Sequence, residues 1–293
     1  MKKYLLIIMA VLCTAQVAAG RTHEGNRPRP TPTPPPQTET YATTSDGTKL
    51  EWTVFTPSGQ GPWPAVLVIH GGNFYAGDPG DAGVTTCAKD LAAAGYVAFA
   101  ITYRLAPPGS LPGQRSLGRF PDQYDDVHLA VQAARNDSRG NGQVGSVGGS
   151  AGGTHTVWVA ATGTPGGDRI DVGVSMSGAY DFSDFSPDQW LAFFIGVVTN
   201  YVGVPSSDTA SLRAASPAWV VNRSVAPLFL VDSVGDVMPA VQLDDMVAQL
   251  DANRVKNYSA MSLPGSAHSF ENWPQIKNDA LAFLASGFAG RKP

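Results

Sequence analysis

The chain has 293 residues, of which 43% are hydrophobic and 15% charged, and it contains 32 glycines and 23 prolines. This composition excludes a chain that is disordered throughout and fits a globular protein with many tight turns. The formal net charge of −4 and the lack of Lys and Arg clusters argue against a nucleic-acid partner. A small or neutral substrate is therefore expected.

The first 20 residues have the order of a secretory signal peptide. Lys2 and Lys3 come first, an apolar run follows up to Cys13, and small residues lead to Gly20. The apolar run is shorter than the about 20 residues that a membrane-spanning helix needs, so a stable membrane anchor is the less favoured interpretation. We predict that residues 1–20 are removed on export and that the protein is secreted, to the periplasm or the extracellular space.

Residues 21–37 are predicted to form a disordered linker. Their Pro/Thr tract cannot pair in a sheet and favours an extended, solvated polyproline conformation. The remaining residues, 38–293, are enough for one large catalytic domain with a buried core. After removal of the leader, Cys87 is the only cysteine, so no disulfide can form within the chain. Because Cys87 lies in a predicted helix, we expect an inert, buried thiol.

Strand and helix patterns alternate from residue 38 onwards. Two β-like stretches, 38–43 and 49–56, are joined by the turn sequence Ser45-Asp46-Gly47, which predicts a hairpin at a sheet edge. Short apolar runs then alternate with helical patterns, which predicts an α/β fold with an open, mostly parallel sheet and helices on both faces. The further predicted strands are residues 65–69, 96–101, 143–148, 170–176, 227–231 and 255–263, and the predicted helices are residues 82–94 and 121–135 and those that begin at residues 151, 239 and 273.

A small insertion follows the sixth predicted strand. Residues 179–227 contain no clear strand but carry several aromatic residues, including Trp190. They form either a lid over a site or surface helices that pack on the sheet, and we favour the second interpretation. Phe74, Tyr75 and Trp190 are candidates for stacking on a sugar or an aromatic ring, although core packing is the commoner role of such side chains.

The sharpest chemical signal is the sequence Gly148-Gly149-Ser150-Ala151-Gly152, a G-x-S-x-G between a predicted strand and a predicted helix. In a nucleophile elbow, the serine occupies a strained strand-to-helix turn, and the glycines avoid clashes there. The amino end of the following helix favours negative charge beside Ser150. Taken alone, the motif also fits an ordinary glycine-rich turn. In this context it predicts that Ser150 is a nucleophile.

A loop that suits an oxyanion hole follows the strand predicted for residues 65–69. Its sequence is His70-Gly71-Gly72-Asn73, and small residues let backbone N–H groups face a substrate carbonyl. We assign Gly72 and Asn73, together with Ala151, as the donors, with Gly71 as an adjacent alternative. His70 lies inside this motif, so we expect it to brace the loop by hydrogen bonding rather than to act as a base.

The base and its orienting acid are sought in the loops after the last two predicted strands. His268 lies between the final strand and the final helix, and Asp236 follows the strand predicted for residues 227–231. Asp232 is the rival acid, but it would still lie in that strand or touch it. The order Ser150, Asp236, His268 is the one expected for a triad on this type of fold. The less suitable histidines are His23 in the tail and His128 and His155 within helices.

With these residues in place, the chain resembles serine esterases of the α/β-hydrolase fold. The hormone-sensitive-lipase-like branch and the single-domain carbohydrate esterases (acetyl xylan and feruloyl esterases) are the most similar. The residues that carry the resemblance are His70-Gly71-Gly72-Asn73, Tyr103-Arg104-Leu105-Ala106-Pro107, Asp125-Asp126, residues 148–153, Asp236 and His268. The resemblance implies an α/β-hydrolase fold and a carboxylesterase that hydrolyses short acyl esters through an acyl-enzyme. It implies no cofactor.

Two features depart from the hormone-sensitive-lipase-like pattern. Asn73 stands where a third glycine is usual, which keeps the backbone N–H but adds a side chain beside the acyl group. The place of the usual amino-terminal helical cap holds only the Pro-rich segment, which implies a shallow, open site and makes the carbohydrate-esterase branch the better match. Asp125 and Asp126 fall in the first turns of a helix, where we expect a structural role because acids favour the helix dipole.

The expected substrate is a small-molecule or polysaccharide-linked ester, with acetyl or feruloyl esters of plant polysaccharides as candidates. No His, Cys and Asp cluster has the spacing of metal ligands, so no metal is expected. An amidase or peptidase of the same fold is the second interpretation, because the same triad cleaves amides. A non-catalytic binding protein of the hydrolase fold is the third, and the complete triad speaks against it.

Overall fold

A computed structural model of the chain describes residues 34–108 and 118–290, all within one compact unit that spans residues 31–293. The predicted signal peptide, residues 1–20, and residues 21–33 of the predicted linker lie outside the described residues. The first described strand begins at Gln37, the last residue of the predicted linker.

Eight strands form one sheet, and all eight were predicted from the sequence. In chain order they are β1 (Gln37–Thr43), β2 (Lys49–Phe55), β3 (Trp63–Ile69), β4 (Val97–Ile101), β5 (Gly140–Gly149), β6 (Val172–Met176), β7 (Leu228–Ser233) and β8 (Tyr258–Leu263). Their spatial order is β1-β2-β4-β3-β5-β6-β7-β8. Strand β2 pairs antiparallel with β1 and with β4, and the other five pairs are parallel, so the sheet is mostly parallel and begins with the predicted hairpin.

Helices connect the strands and cover both faces of the sheet, which confirms the predicted α/β-hydrolase architecture. They are α1 (Ala82–Ala93), α2 (Asp122–Asn136), α3 (Ala151–Ala161), α4 (Leu191–Val202), α5 (Thr209–Ala214), α6 (Pro217–Val220), α7 (Val241–Ala252) and α8 (Trp273–Ala289), and a 3-10 turn (Ser269–Asn272) precedes α8. Helices α1 and α8 share one core with the sheet, and α2, α3, α6 and α7 share the core on the opposite face.

The sequence of β3 shows how one strand serves both cores. Leu67 and Ile69 pack on the face of α2 and α3, whereas Val66 and Val68 pack on the face of α1 and α8. All four are fully buried. A strand buried on both faces reads as a continuous apolar run, because successive side chains point to opposite sides of the sheet. Helices on both faces thus explain why this strand has no polar alternation.

The parallel strands place their carboxyl ends along one edge of the sheet. In an open α/β sheet, a binding site forms in the crevice outside these ends, because the loops that leave the strands converge there. The loops after β3, β5, β6, β7 and β8 therefore supply the residues of the site described below.

Helices α4, α5 and α6 form the insertion between β6 and β7, in the position predicted for it. The inner side of α4 buries Phe194, Val198 and Tyr201, where the Tyr201 ring stacks on Phe74 with a centroid separation of 4.1 Å. Core packing is thus confirmed for Phe74. The same expectation is wrong for Trp190, which is exposed because it precedes the first turn of α4 and lies outside the packed side.

The Tyr103-to-Pro107 segment after β4 is held by an ion pair with α2. Arg104 donates to both carboxylate oxygens of Asp126 at 2.7 to 3.1 Å, and the Arg104 backbone N–H also donates to this carboxylate. Asp126 is fully buried, whereas Asp125 is exposed. The role of Asp126 is structural, as predicted, but its cause is this ion pair and not only the helix dipole.

The Cys87 thiol is fully buried in α1, as predicted, and burial raises the pKa of this thiol well above its ordinary value. Within residues 34–108 and 118–290, no helix is both long enough and apolar enough to cross a membrane.

Candidate active site

Ser150 occupies a sharp turn between β5 and α3. Its backbone has φ 55° and ψ −123°, a conformation that costs a non-glycine residue free energy and is found mainly at functional sites. The Ser150 N–H donates to Met176 O at 2.8 Å, which fixes the turn against β6. A Cβ on Gly152 would lie 2.0 Å from Ile69 O, and one on Gly148 would lie 2.1 Å from Gly152 O. Close backbone approach therefore explains why these two positions are glycine.

His268 and Asp236 meet at the same edge of the sheet. His268 Nδ1 lies 2.6 Å from Asp236 Oδ1, and the same oxygen accepts a hydrogen bond from the Met238 backbone N–H at 3.0 Å. The Asp236 carboxylate is buried, whereas the imidazole is partly exposed. Because Nδ1 faces a carboxylate, it carries the proton, and Nε2 is left with a free lone pair. Both His268 and Ser150 line the same cavities.

The rival acid, Asp232, lies within β7 and not in the loop after it. In the described part of the chain, its Oδ1 has no hydrogen-bond partner and its carboxylate makes no hydrogen bond to His268. Burial raises the pKa of Asp232 above its ordinary value. The structure therefore pairs His268 with Asp236 and leaves Asp232 outside this pair.

The loop after β3 bends tightly beside Ser150. Gly72, Asn73 and Phe74 have φ values of 124°, 56° and 64°, so three successive residues adopt the left-handed side of conformational space. A Cβ on Gly72 would lie 2.1 Å from the carbonyl oxygen of Ala76, so only glycine fits there. No described residue accepts a hydrogen bond from the backbone N–H of Gly72 or Asn73. Two donors next to Ser150 are thus left available.

Ala151 is the first residue of α3, where a backbone N–H has no acceptor within the helix. It lines the same cavity as Ser150 and Asn73. Gly72 lines the groove together with Ser150, so each of the three predicted donor residues lines a cavity that Ser150 also lines. Gly71, the adjacent alternative, packs against the serine, because a Cβ there would lie 2.9 Å from Ser150 Cβ.

His70 braces the loop that carries these donors. Its Nδ1–H donates to Gly71 O at 2.7 Å, its ring stacks on Tyr103 with a centroid separation of 4.3 Å, and the Tyr103 hydroxyl donates to His70 O at 2.9 Å. The His70 side chain is buried, and burial lowers its pKa. The predicted hydrogen-bonded brace is present, and the Tyr103 ring adds a stacking partner to it.

Two cavities of different character meet at Ser150. The first, called the chamber here, ends beneath α4, and its volume is about 20 Å³. The second, called the groove, is open to solvent, and its volume is about 600 Å³. Both cavities are lined by Asn73, Ser150, Phe193, Val237 and His268. The remaining lining residues of the chamber are Phe74, Ala151, Ala179, Phe194, Val197, Val198 and Met238, and those of the groove are Gly71, Gly72, Gly77, Asp81, Gly83, Val84, Ser269, Phe270 and Glu271. The sequence predicted a shallow, open site. The groove agrees with this prediction, whereas the chamber does not, because α4 covers it.

Residues 53–250, more than half of the chain, match the sequence profile of BD-FAE. The chain belongs to the BD-FAE family. A comparison with curated protein sequences finds no match.

Solved structures similar to this BD-FAE chain include several esterases. A truncated carbohydrate esterase from gut microbiota is 18% identical, with a TM-score of 0.70 over 86% of this chain and 96% of its own. Thermogutta terrifontis esterase 2 phosphonylated by sarin is 17% identical, with a TM-score of 0.68 over 88% and 95%. A bifunctional GH43-CE from Bacteroides eggerthii is 19% identical, with a TM-score of 0.68 over 85% of this chain and 34% of its own. These likenesses show the α/β-hydrolase fold.

One residue that sequence reasoning missed in this BD-FAE chain is Ser177, at the carboxyl end of β6. Its hydroxyl donates to Asp236 Oδ2 at 2.5 Å and accepts from the Ser269 backbone N–H at 2.9 Å and from Asn272 Nδ2 at 3.3 Å. Ser177 is buried and has φ 52°. It therefore joins the acid to the segment that carries His268. In the sequence, the only indication of this role is that Ser177 directly follows the buried strand predicted for residues 170–176.

Sequence reasoning also missed Gln123, a buried residue of α2. Its Nε2 donates to Phe74 O at 2.7 Å, and its Oε1 accepts from His155 Nε2 at 2.9 Å. Burial lowers the pKa of His155 to about 3, so this histidine is neutral, and its Nε2–H donates a hydrogen bond to the Gln123 amide oxygen. Gln123 and His155 thus support the loop after β3 through the hydrogen bond to Phe74 O.

In residues 34–108 and 118–290, no group of three or more His, Cys, Asp or Glu side chains is arranged to hold a metal ion.

Proposed function

We propose that this protein is a secreted serine carboxylesterase that hydrolyses short acyl esters through Ser150, His268 and Asp236. The observation that carries the proposal is the 2.6 Å contact between His268 and Asp236 beside a strained Ser150 that lines the same cavities. Membership of the BD-FAE family and the esterases among the similar structures support it. The predicted leader supports the assignment to a compartment outside the cytoplasm.

The reaction follows from the positions of the groups. His268 Nε2 takes the proton of the Ser150 hydroxyl as its oxygen attacks the ester carbonyl, and the N–H groups of Ala151, Gly72 and Asn73 stabilise the oxyanion. The protonated His268 then gives its proton to the leaving alcohol oxygen, and the acyl group stays on Ser150. Water, deprotonated by His268, attacks this acyl-enzyme, and His268 then returns the proton to the Ser150 oxygen as the carboxylic acid leaves.

The Ser150 hydroxyl and His268 are not hydrogen-bonded to each other in this structure. Such contacts are often long in the absence of substrate and tighten when a substrate binds. The Asp236 carboxylate favours the imidazolium that forms during the reaction and holds the ring in the required tautomer.

The proposed substrates are short acyl esters on carbohydrate, with acetyl and feruloyl esters of plant polysaccharide as the two candidates. Two of the similar structures are described as a carbohydrate esterase and as a bifunctional GH43-CE. The open groove beside His268 supports a substrate with a bulky alcohol part, because the groove leaves room on the side from which the leaving alcohol departs.

A fluorophosphonate probe tests the mechanism directly. We expect the purified protein, without residues 1–20, to be labelled once and the label to map to the peptide that contains Ser150. The same preparation should hydrolyse p-nitrophenyl acetate, and the labelled protein should not. Heat-denatured protein is the control for non-specific labelling. A chain that binds no probe and hydrolyses no ester would be a non-catalytic member of the fold, which contradicts the proposal.

Loss of the Ser177 hydroxyl is predicted to lower the turnover of p-nitrophenyl acetate about tenfold, with little change in KM. In Ser177→Ala, the buried Asp236 carboxylate loses a donor, and the part-buried Ser269 N–H loses its acceptor, which costs about 1–3 kcal/mol of stability. Ser177→Gly deletes the same hydroxyl but removes the strain at φ 52°. Equal losses of kcat in both variants would show that the missing hydroxyl lowers the turnover. Wild-type turnover in Ser177→Gly would contradict the prediction.

A further inference from the structure

The backbone carbonyl of Phe74 is held by two hydrogen bonds, directly after the proposed oxyanion donors Gly72 and Asn73. The buried Gln123 side chain donates from Nε2 to Phe74 O at 2.7 Å, and the Ala106 backbone N–H donates to the same oxygen at 2.9 Å. Gln123 lies on α2, and Ala106 lies in the segment after β4. Two elements that are remote in sequence therefore fix this one oxygen atom.

The backbone conformation of Phe74 needs such support. Its φ of 64° lies in the left-handed region, which a bulky residue rarely adopts, and Asn73 before it has φ 56°. Strained conformations of this kind persist only where the surrounding contacts over-determine them. If Phe74 relaxed to a negative φ while its ring stayed stacked on Tyr201, the preceding peptide would turn about the N–Cα bond. The Asn73 N–H would then leave its position beside Ser150.

The Gln123 amide has one orientation that satisfies its neighbours. The Phe74 carbonyl can only accept a hydrogen bond, so the NH2 group of Gln123 must face it. The Gln123 Oε1 atom then accepts from His155 Nε2–H at 2.9 Å. His155 Nδ1 has no hydrogen-bond partner among the described residues, which agrees with a neutral ring protonated only at Nε2. The amide of Gln123 is thus fixed on both sides.

The His155 ring is itself fixed by aromatic packing. It is fully buried on α3, the helix that begins directly after Ser150. Its edge-on neighbours, with ring centroids 5.6, 4.8 and 5.3 Å away, are Phe74, Tyr103 and Tyr124. Through Gln123, the loop with the oxyanion donors is therefore tied to the same helix that positions the nucleophile.

The second donor to Phe74 O is supported from the insertion. Asn200 of α4 donates from Nδ2 to Ala106 O at 2.9 Å, and the Ala106 N–H donates to Phe74 O. Asn200 is only part-buried, whereas Ala106 is fully buried. Helix α4 thus supports the loop after β3 in addition to covering the chamber.

We propose that Gln123 is a positioning residue of the reaction, which aligns the N–H groups of Gly72 and Asn73 with the oxyanion. Asn200 supports the same alignment less directly. This inference rests on the proposed function. Gln123 lines neither the chamber nor the groove, so it contributes no contact to the bound ester. Its loss should weaken the stabilisation of the transition state, where the oxyanion develops, more than the binding of the substrate.

The test measures kcat and KM for p-nitrophenyl acetate in Gln123→Met, which keeps the length of the side chain and deletes both hydrogen-bonding groups. We expect kcat to fall about 10- to 100-fold, since a small misplacement of a catalytic group can cost about 10²-fold, while KM changes less than about threefold. Asn200→Ala removes only the indirect support and should lower kcat about threefold.

Gln143→Met is the matched control. Gln143 Nε2 donates to Phe288 O at 2.8 Å, and its Oε1 accepts from Asn141 Nδ2 at 3.1 Å, so the same two kinds of hydrogen bond are deleted. Gln143 lies near the amino end of β5, whereas Ser150 follows the carboxyl end of this strand. The kcat of this variant should stay near the native value.

A transition-state analogue distinguishes lost alignment from general loosening of the fold. The carbonyl carbon of 1,1,1-trifluoroacetone takes up a serine oxygen and forms a tetrahedral adduct that carries an oxyanion. In Gln123→Met, the inhibition constant of this ketone should rise by about the same factor by which kcat/KM falls. Thermal unfolding midpoints show whether each variant is folded at the assay temperature.

Each result supports or overturns the inference. It is overturned if folded Gln123→Met loses no more kcat than Gln143→Met does, if KM rather than kcat changes, or if trifluoroacetone inhibits Gln123→Met as strongly as the native protein. If Gln123→Met does not fold, native kcat in Asn200→Ala overturns the inference, and the expected loss supports it. Absence of ester hydrolysis and of fluorophosphonate labelling in the native protein would instead reject the proposed function itself.

Discussion

Replacement of Ser150 by alanine is expected to lower the turnover of p-nitrophenyl acetate by at least about 10³-fold, while the chain stays folded. The variant has no oxygen to attack the carbonyl and no acyl-enzyme to form. The Ser150 hydroxyl donates no hydrogen bond to a described residue, so its removal leaves no buried partner unsatisfied. Alanine bears the same Cβ, and the backbone strain at φ 55° is therefore unchanged.

The measurement is the steady-state rate with p-nitrophenyl acetate, together with the thermal unfolding midpoint. Ser206→Ala is a suitable control, since this serine is exposed and lies outside both cavities. It should match the native protein in rate and midpoint. A Ser150→Ala protein that retained native rates would show that another group attacks the ester.

Substitution of Asp236 by asparagine is expected to lower kcat on the order of 10³-fold. The amide cannot replace the carboxylate in either orientation. With its NH2 group at the Oδ1 position, it faces two donors, His268 Nδ1–H and the Met238 N–H. With the NH2 group at the Oδ2 position, it faces Ser177, whose hydroxyl oxygen already accepts two hydrogen bonds. In both cases the negative charge that stabilises the imidazolium is lost.

Asp232→Asn provides a matched control for this prediction. Asp232 is a buried acid only four positions away, but it lies in β7 and makes no hydrogen bond to His268 within the described structure. Its substitution should therefore leave kcat near the native value. The reverse pattern, with a large loss in Asp232→Asn and none in Asp236→Asn, would exchange the roles of the two acids. Circular dichroism of both variants would establish that each is folded.

Several features of the molecule were predictable because they depend on short stretches of sequence. The buried strands β3 and β4 are continuous apolar runs, and the five helices for which a start was predicted (α1, α2, α3, α7 and α8) begin within two residues of it. The elbow at Ser150 was predictable because its glycines avoid backbone contacts that any side chain would block. Asp236 and His268 could be proposed as acid and base, and their contact anticipated, because the order of strands and loops in this fold fixes where an acid and a base follow a strand.

The contacts that complete the site were decided only by the tertiary structure. Ser177 and Asp236 are 59 positions apart, and Gln123 and Phe74 are 49 apart, so no local pattern links the members of either pair. The chamber exists because α4, from the insertion, packs its apolar side against Phe74. Sequence periodicity indicates that a helix has an apolar side, but the partner of that side depends on how distant elements pack. The sequence therefore predicted the candidate reactive groups, whereas the packing of α4 decided the apolar lining of the cavity beside them.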